Sequence, residues 1–350
     1  MMHLRPVQFV DTPVTHEDGS VARLAGGMQW FAAYEVIEAG TRRTIPVADV
    51  AALGSRAVQL HAAITAPRPA LQLGARTLRF DQPLVAGILN VTPDSFSDGG
   101  RHGDDPAAAA AAGVDMAAAG AALVDLGGES TRPGAAAVWE GDEIARVVPV
   151  VERLARSGTP VSIDTRKAAV MEAALAAGAH IVNDVSALLW DDRAVEVVAR
   201  ARCPVVLMHS PDPKDGGHAR TGYRDVAIEV FDWLEARIAA VVAAGIDRSR
   251  IIVDPGIGFG KSLSDNLALI NGIALFHGLG CPIMLGVSRK RMIGALDNEA
   301  PVSARLGGSL ALALKGAEAG VQILRVHDVA ATVQALKVWR GMRDRALVGD

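Results

Sequence analysis

The chain has 350 residues, enough for one large barrel or two ordinary domains. Half of them are hydrophobic and 21% are charged, and a net charge of −4 gives no reason to expect nucleic acid or an anionic membrane as partner. No stretch approaches the ~20 uninterrupted apolar residues of a membrane span. The start, with His3, Arg5 and Asp11, lacks the apolar core of an export signal, so a soluble cytoplasmic protein is expected.

Residues 1–70 carry no strand–helix repeat. Segments 32–40 and 48–64 read as helical, and Pro67 and Pro69 mark a break. The expectation is an N-terminal extension, residues 1–70, packed on a larger unit at 71–350. Residues 73–80, around Gly74, read as a short hairpin that plugs the bottom of that unit.

From residue 84 onward short apolar runs alternate with Ala-rich helical stretches. Strands are expected at 85–90, 122–126, 160–164, 180–184, 204–208, 250–254, 282–286 and 322–326. Helices follow at 106–119, from 142, at 168–177, 193–201, within 223–244, and at 264–276, 302–319 and 329–342. Asp104 or Asp105 is placed to cap the first of these ahead of Pro106. Gly120, Gly178, Gly245 and Gly320 end helices where a left-handed residue is wanted. The strands are continuous apolar runs, as in parallel sheets buried on both faces. Cys203 and Cys281 each precede a Pro and an apolar run, so both read as buried thiols at strand starts. Eight strand–helix units give an α/β protein, a (β/α)8 TIM barrel with an N-terminal extension. A doubly wound open sheet is the structural alternative, weakened by the lack of G-x-G-x-x-G after the first strand.

In this architecture the active site lies where the strands end. The closing residues are Asn90, Asp125, Asp164, Asn183 with Asp184, Met208 with His209, Asp254, Ser288 with Arg289 and Lys290, and Arg325 with His327. One polar strand end is an ordinary loop; eight on one rim point to a single mouth. Asp164, Asn183 and Asp254 suit a planar heterocycle with N–H donors, whereas Lys290, Arg325, His327 and Arg132 suit a phosphate or carboxylate. Each also has a plainer reading. Asn90 can cap a turn before Pro93, Asp164 can cap the third helix, Asp254 can start a turn before Pro255, and Asn183 can be a satisfied core amide. Asp125 and Asp184 read as structural or supporting, His209 as supporting or exposed, and Glu129 as orienting the second loop. His102, His218 and His277 fit no pattern and read as surface residues.

Two motifs are decoys. Gly-Ile-Gly-Phe-Gly-Lys-Ser at 256–262 resembles a P-loop, but the Walker pattern needs Gly at 255, where Pro stands; it reads as a glycine-rich loop over a flat ligand, with Lys261 near the helix start. No H-E-x-x-H and no Cys/His cluster occurs, which leaves a loosely held Mg²⁺ on a diphosphate as the metal to expect.

Longer motifs then resemble a family. Gly-Ile-Leu-Asn-Val-Thr-Pro-Asp-Ser-Phe-Ser-Asp-Gly-Gly at 87–100 and Gly-Gly-Glu-Ser-Thr-Arg-Pro-Gly at 127–134 are similar to the two signatures of dihydropteroate synthases. Ser-Ile-Asp-Thr at 162–165, Val-Asn-Asp at 182–184, Asp-Pro-Gly-Ile-Gly-Phe-Gly-Lys at 254–261, Ser-Arg-Lys at 288–290 and Arg-Val-His-Asp at 325–328 follow in the family's order. The resemblance runs from about Leu71 to the C-terminus. It implies that a pterin methyl diphosphate is joined to p-aminobenzoate.

By the same resemblance Asp164, Asn183, Met208, Asp254, Gly258, Phe259, Lys290 and Arg325 bind the pterin. Asn90, Arg325 and His327 hold the diphosphate, with Asn90 near Mg²⁺. Pro93, Phe96, Thr131, Arg132, Ser288 and Lys290 form the p-aminobenzoate pocket. Asp164, Lys290, Arg325 and His327 carry the chemistry, in which diphosphate leaves before the amine attacks. A homodimer, through the later helices, is also implied. The chain departs from the family in the 210–217 loop and in its long extension. A methyltetrahydrofolate:corrinoid methyltransferase shares the Asp, Asn, Asp set but needs neither Asn90 nor the Ser-Arg-Lys run. A catalytically silent homologue would have lost site positions, and none is lost.

Overall fold

The computed structural model describes residues 1–92, 105–130, 137–211 and 222–348. The first 70 residues build a small antiparallel sheet. Strand β1 (Met2–Val10) and the short β2 (Ala22–Arg23) flank β3 (Trp30–Glu38), which also pairs with β4 (Thr41–Pro46). Segment 32–40, expected as a helix, is therefore mostly strand. Its Trp-Phe-Ala-Ala-Tyr-Glu-Val-Ile-Glu run is aromatic and β-branched, and its Phe31, Tyr34 and Val36 are buried together with Leu4 of β1. The turn that makes the hairpin is the two-residue Ala39-Gly40, both at positive φ, between the paired Glu38 and Thr41. An Asn-Gly or Asp-Gly would have announced it; Ala-Gly does not. The helix expected over 48–64 is two pieces, a 3-10 segment Val47–Leu53 and α1 (Ser55–Thr65), broken at Gly54 with φ 93°.

A short hairpin of β5 (Leu71–Leu73) and β6 (Arg76–Leu78) leads into the repeating part. In chain order that part is β7 (Leu84–Asn90), α2 (Pro106–Ala118), β8 (Leu123–Gly127), α3 (Glu140–Arg156), β9 (Val161–Asp164), α4 (Ala168–Ala176), β10 (Ile181–Asp184) and α5 (Ala194–Ala201). It continues with β11 (Val205–Met208), α6 (Val226–Ala243), β12 (Ile251–Asp254), α7 (Leu263–Asn271), β13 (Met284–Gly286), α8 (Arg291–Leu296), α9 (Leu306–Glu318), β14 (Ile323–Val326) and α10 (Val329–Val348). The eight strands β7 to β14 are parallel, in the order β12-β11-β10-β9-β8-β7-β14-β13. A parallel bridge between Val253 and Ile283 closes the ring. This is the expected eight-stranded barrel.

The cap read in the sequence ahead of Pro106 is present, and α7 has one that was not read. Asp105 accepts the amides of Ala107 and Ala108 ahead of Pro106. Ser262 and Asp265 form a reciprocal capping box on α7. The helix expected over 264–276 stops at Asn271 and continues as a 3-10 segment, Ile273–Leu279. That segment turns His277 inward, so the histidine read as a surface residue is fully buried. Its Nε2 meets the Ala319 carbonyl at 2.9 Å, and the buried Arg68 donates to the His277 carbonyl at 3.0 Å. Cys203 and Cys281 are buried free thiols, as expected.

The N-terminal sheet is fastened to the barrel wall through α6. His3 meets Asp232 at 2.6 Å, Arg56 meets Glu235 at 2.7 Å, and Arg42 pairs with Asp225, the residue that caps α6. At the far end of α10, Arg343 pairs with Asp11 at 2.9 Å.

Candidate active site

Side chains alternate across a strand, so inward-pointing residues recur at every second position. One inward layer is apolar: Ala86, Leu123, Ile181, Val206, Ile252, Met284 and Ile323 form a buried cluster. Leu71, Leu73, Leu78 and Phe80 of the β5–β6 hairpin belong to the same cluster, so the hairpin plugs the barrel as expected. Two residues further along the same strands stand Ile88, Asp125, Asn183, Met208, Asp254, Gly286 and Arg325. Asp164 stands two beyond the buried Ser162 on β9. The site is thus the polar layer above an apolar plug.

Arg325 is its hub. Its Nε donates to Asp125 Oδ2 at 2.5 Å and its Nη2 to Asp164 Oδ2 at 2.6 Å. Asn183 Nδ2 donates to the same Asp125 oxygen at 3.1 Å. Burial opposes the guanidinium charge, but Asp125, Asp164 and Asp254 outweigh it and hold Arg325 protonated. Burial, with Asp125 and Asp184 nearby, pushes the Asp164 carboxyl up against the pull of Arg325. The second oxygens of Asp125 and Asp164 are buried and have no hydrogen-bond partner. A buried acceptor without a donor is costly, and two beside one cation leave room for a ligand that brings N–H groups.

Lys290 enters from the loop after β13, the strand that pairs with the β14 of Arg325. Its Nζ donates to the Ile257 carbonyl and lies 5.1 Å from the centre of the Phe259 ring. Burial pulls the amine down to about 8, with Asp254 acting the other way. Burial likewise pushes Asp254 up, against Lys290. Gly286 is where these groups converge: a Cβ there would lie 3.9 Å from both Arg325 Cδ and Asp254 Oδ2 and 4.0 Å from Lys290 Nζ. Gly127 plays the same part on the other side, since its Cβ would lie 3.4 Å from Asn90 Oδ1 and 3.6 Å from Asp164 Cβ. Met208 is buried and aligned with Asp254 across β11 and β12. One step outward, Ser288 Oγ meets His327 Nδ1 at 3.0 Å and accepts the His327 amide at 3.2 Å.

Among the described residues, then, the fold brings together Asn90, Asp164, Asn183, Met208, Asp254, Gly258, Phe259, Ser288, Lys290, Arg325 and His327. Pro93, Phe96, Thr131 and Arg132 lie outside them, as do Asp104, His102 and His218. The helix-capping reading of Asp164 fails, because α4 begins after Lys167. Glu129 does brace the second loop: it accepts the Val138 amide at 2.9 Å and pairs with Lys167 at 3.0 Å and Arg166 at 3.2 Å. Asp184 accepts from the Ser186 amide and hydroxyl and the Leu188 amide, a bracing role. Asp125 is the residue that sequence reasoning undervalued. The signal was present, since Asp125 stands two residues after the inward Leu123.

No group of three or more His, Cys, Asp or Glu able to hold a metal occurs among the described residues. The donor set that remains, one amide oxygen of Asn90 at the mouth, fits a cation that takes most of its oxygens from phosphates and water.

Residues 86–327 match the model of the pterin binding enzyme family. The dihydropteroate synthase of Neisseria meningitidis serogroup B is 46% identical over 276 residues, 77% of this chain and 96% of that one. The chain belongs to the dihydropteroate synthase family of pterin-binding enzymes. The Escherichia coli strain K12 synthase is 46% identical over 263 residues, 75% of this chain and 92% of its own. Among solved structures, the Xanthomonas albilineans synthase with 4-aminobenzoic acid superposes with a TM-score of 0.74 at 48% identity. It covers 79% of this chain and 99% of its own. The same enzyme in complex with 7,8-dihydropteroate gives 0.71 at 47%, covering 79% of this chain and all of the other. These relatives are nearly complete within the match, while about a fifth of this chain lies outside it.

Proposed function

We infer that the protein condenses a dihydropterin methyl diphosphate with p-aminobenzoate, giving 7,8-dihydropteroate and diphosphate. The observation that carries this reading is the polar layer itself. Asp125 and Asp164 each pair with Arg325 and keep a partnerless buried oxygen, and Arg325 converges with Asp254 and Lys290 around Gly286. Acceptors interleaved with cations suit a substrate that is an N–H-rich heterocycle with an anionic tail.

Asp164, Asn183 and Asp254 accept and orient the ring, and Lys290 donates to it. Met208, Gly258 and Phe259 form the apolar walls, and the planar guanidinium of Arg325 stacks on the ring. Asn90, Arg325 and His327 hold the diphosphate; Ser288 fixes His327. Asn90 would also hold Mg²⁺, which supplies positive charge to the leaving diphosphate. The carbon–oxygen bond of the pterin methylene breaks, and its electron pair goes to diphosphate. Asp164, raised in pKa yet paired with Arg325, stabilises the pterin cation that remains. The arylamine nitrogen then attacks and loses a proton. Arylamines are weak bases, so no strong general base is required. Pro93, Phe96, Thr131 and Arg132, with Ser288 and Lys290, are assigned the p-aminobenzoate pocket on the strength of their motifs.

Residues 1–70 are an addition to the catalytic barrel at 71–350, a division supported by the relatives' coverage. The protein works in the cytoplasm as a homodimer with small-molecule substrates alone. No helix among the described residues is long and apolar enough to cross a membrane. The test is turnover. Purified protein given Mg²⁺ and both substrates should release dihydropteroate and diphosphate in equal amounts. A sulfonamide should raise the apparent KM for p-aminobenzoate without lowering the maximal rate. Pterin binding without product would refute the reading.

A further inference from the structure

The glycine-rich 256–262 run looks like a phosphate loop, but its lysine does not face the mouth. Lys261 Nζ turns beneath the loop. It donates to the Gly256 carbonyl at 2.8 Å and the Phe259 carbonyl at 3.1 Å, and it meets His209 Nδ1 at 3.0 Å. The His209 carbonyl, 3.5 Å from Nζ, is a fourth acceptor, so the three hydrogens of an ammonium are all taken up beneath the loop. The imidazole is fixed in turn, edge-on to Trp233 with ring centres 5.0 Å apart, and buried. Gly256, at φ 69°, allows the close approach, since a Cβ there would lie 1.9 Å from the His209 carbonyl oxygen.

On its other side the same loop presents the Ile257 carbonyl and the Phe259 ring to Lys290. A Cβ on Gly258 would lie 3.2 Å from Lys290 Cδ. The loop is thus the wall against which Lys290 rests, and its shape is set from beneath.

We propose that Lys261 and His209 are positioning residues of the pterin site: together they staple the glycine-rich loop and so aim Lys290 and Phe259 at the ring. The inference rests on the assignment of this site to the pterin. It explains why a lysine ends the glycine run without any phosphate to bind, and why a histidine at the end of β11 is buried rather than exposed.

The staple predicts an asymmetric loss. Lys261→Met should weaken pterin binding about tenfold or more, the scale of one charged hydrogen bond, and leave the KM for p-aminobenzoate within about twofold. His209→Leu should do the same. His209→Asn should restore most of the affinity, because its amide oxygen takes the place of Nδ1 as acceptor. Pterin affinity is read by calorimetry on the full chain without the arylamine, and both KM values by steady-state assay. If the wild-type protein bound no pterin, the site assignment itself would fail. If it bound pterin and Lys261→Met bound it equally well, the staple alone would be overturned. Equal losses for His209→Asn and His209→Leu, or equal losses for both substrates, would also overturn it.

Discussion

Asp125 offers a sharp test of how the site is built. It is fully buried, and its Oδ2 accepts from Arg325 Nε at 2.5 Å and from Asn183 Nδ2 at 3.1 Å. Asp125→Asn keeps the shape but removes the charge. With its oxygen in the place of Oδ2 the new amide still accepts from both Arg325 and Asn183, so the charge is what is lost. Arg325 keeps Asp164 at 2.6 Å, so its charge is not stranded. The loss is then the charge assistance of one hydrogen bond, about half its worth or about 1 kcal/mol, rather than the larger cost of an uncompensated buried ion. At about 1.4 kcal/mol per factor of ten this is roughly a fivefold weakening, shared between fold stability and pterin binding. Urea unfolding reads the first part, and pterin affinity with its KM reads the second. The KM for p-aminobenzoate should stay near the wild-type value. Wild-type stability together with wild-type pterin affinity would refute the reasoning, because a buried carboxylate with two donors would then be dispensable.

Two further predictions follow from the same structure. Burial, and then Arg68, pushes the His277 imidazole down to about 3, whereas an unfolded histidine titrates near 6.5. Below about pH 6.5 the unfolded chain binds a proton that the folded chain refuses, so stability falls as the pH falls toward 3. His277→Gln keeps a donor for the Ala319 carbonyl and removes the proton site. Its stability deficit against wild type should shrink by about 1.4 kcal/mol per pH unit below 6.5; a deficit independent of pH between 7 and 4.5, by denaturant titration, would contradict this. Chelation of divalent cations should abolish diphosphate release while leaving the melting temperature unchanged, since Asn90 is the one metal residue assigned and no metal-holding cluster occurs among the described residues. Loss of folded protein on chelation would contradict it.

Much of the fold was legible because its physics is local. Parallel strands buried on both faces must be continuous apolar runs, and several of the Ala-rich helices between them end at a glycine of positive φ, so the repeat showed itself from residue 84 onward. The N-terminal sheet was misread for an equally physical reason. The run 32–40 contains alanines that suit a helix, and what makes it a strand is pairing with β1 and β4, a non-local choice. His277 was misread because its burial depends on Arg68 and Ala319, far away in sequence. At the site, residue types and order, with the family resemblance, singled out Asp164, Asn183, Asp254, Lys290 and Arg325 as candidates. The role of Asp125 needed the inward layer and its spacing. That of Lys261 could not be read at all, since whether a lysine in a glycine run points outward to a phosphate or inward to carbonyls is settled by the packing of His209 on Trp233.

The central claim is that the strand ends of this barrel read a pterin ring. The most direct measurement is the affinity of a dihydropterin for the wild-type protein and for Asp164→Ala, titrated without arylamine or Mg²⁺. Asp164→Ala removes the partner of Arg325 Nη2 and a buried acceptor that has no donor of its own. The account predicts binding to the wild type and a loss of about a hundredfold in the variant, the scale of a buried charged hydrogen bond. Equal binding by the two proteins, each shown to be folded, would contradict it.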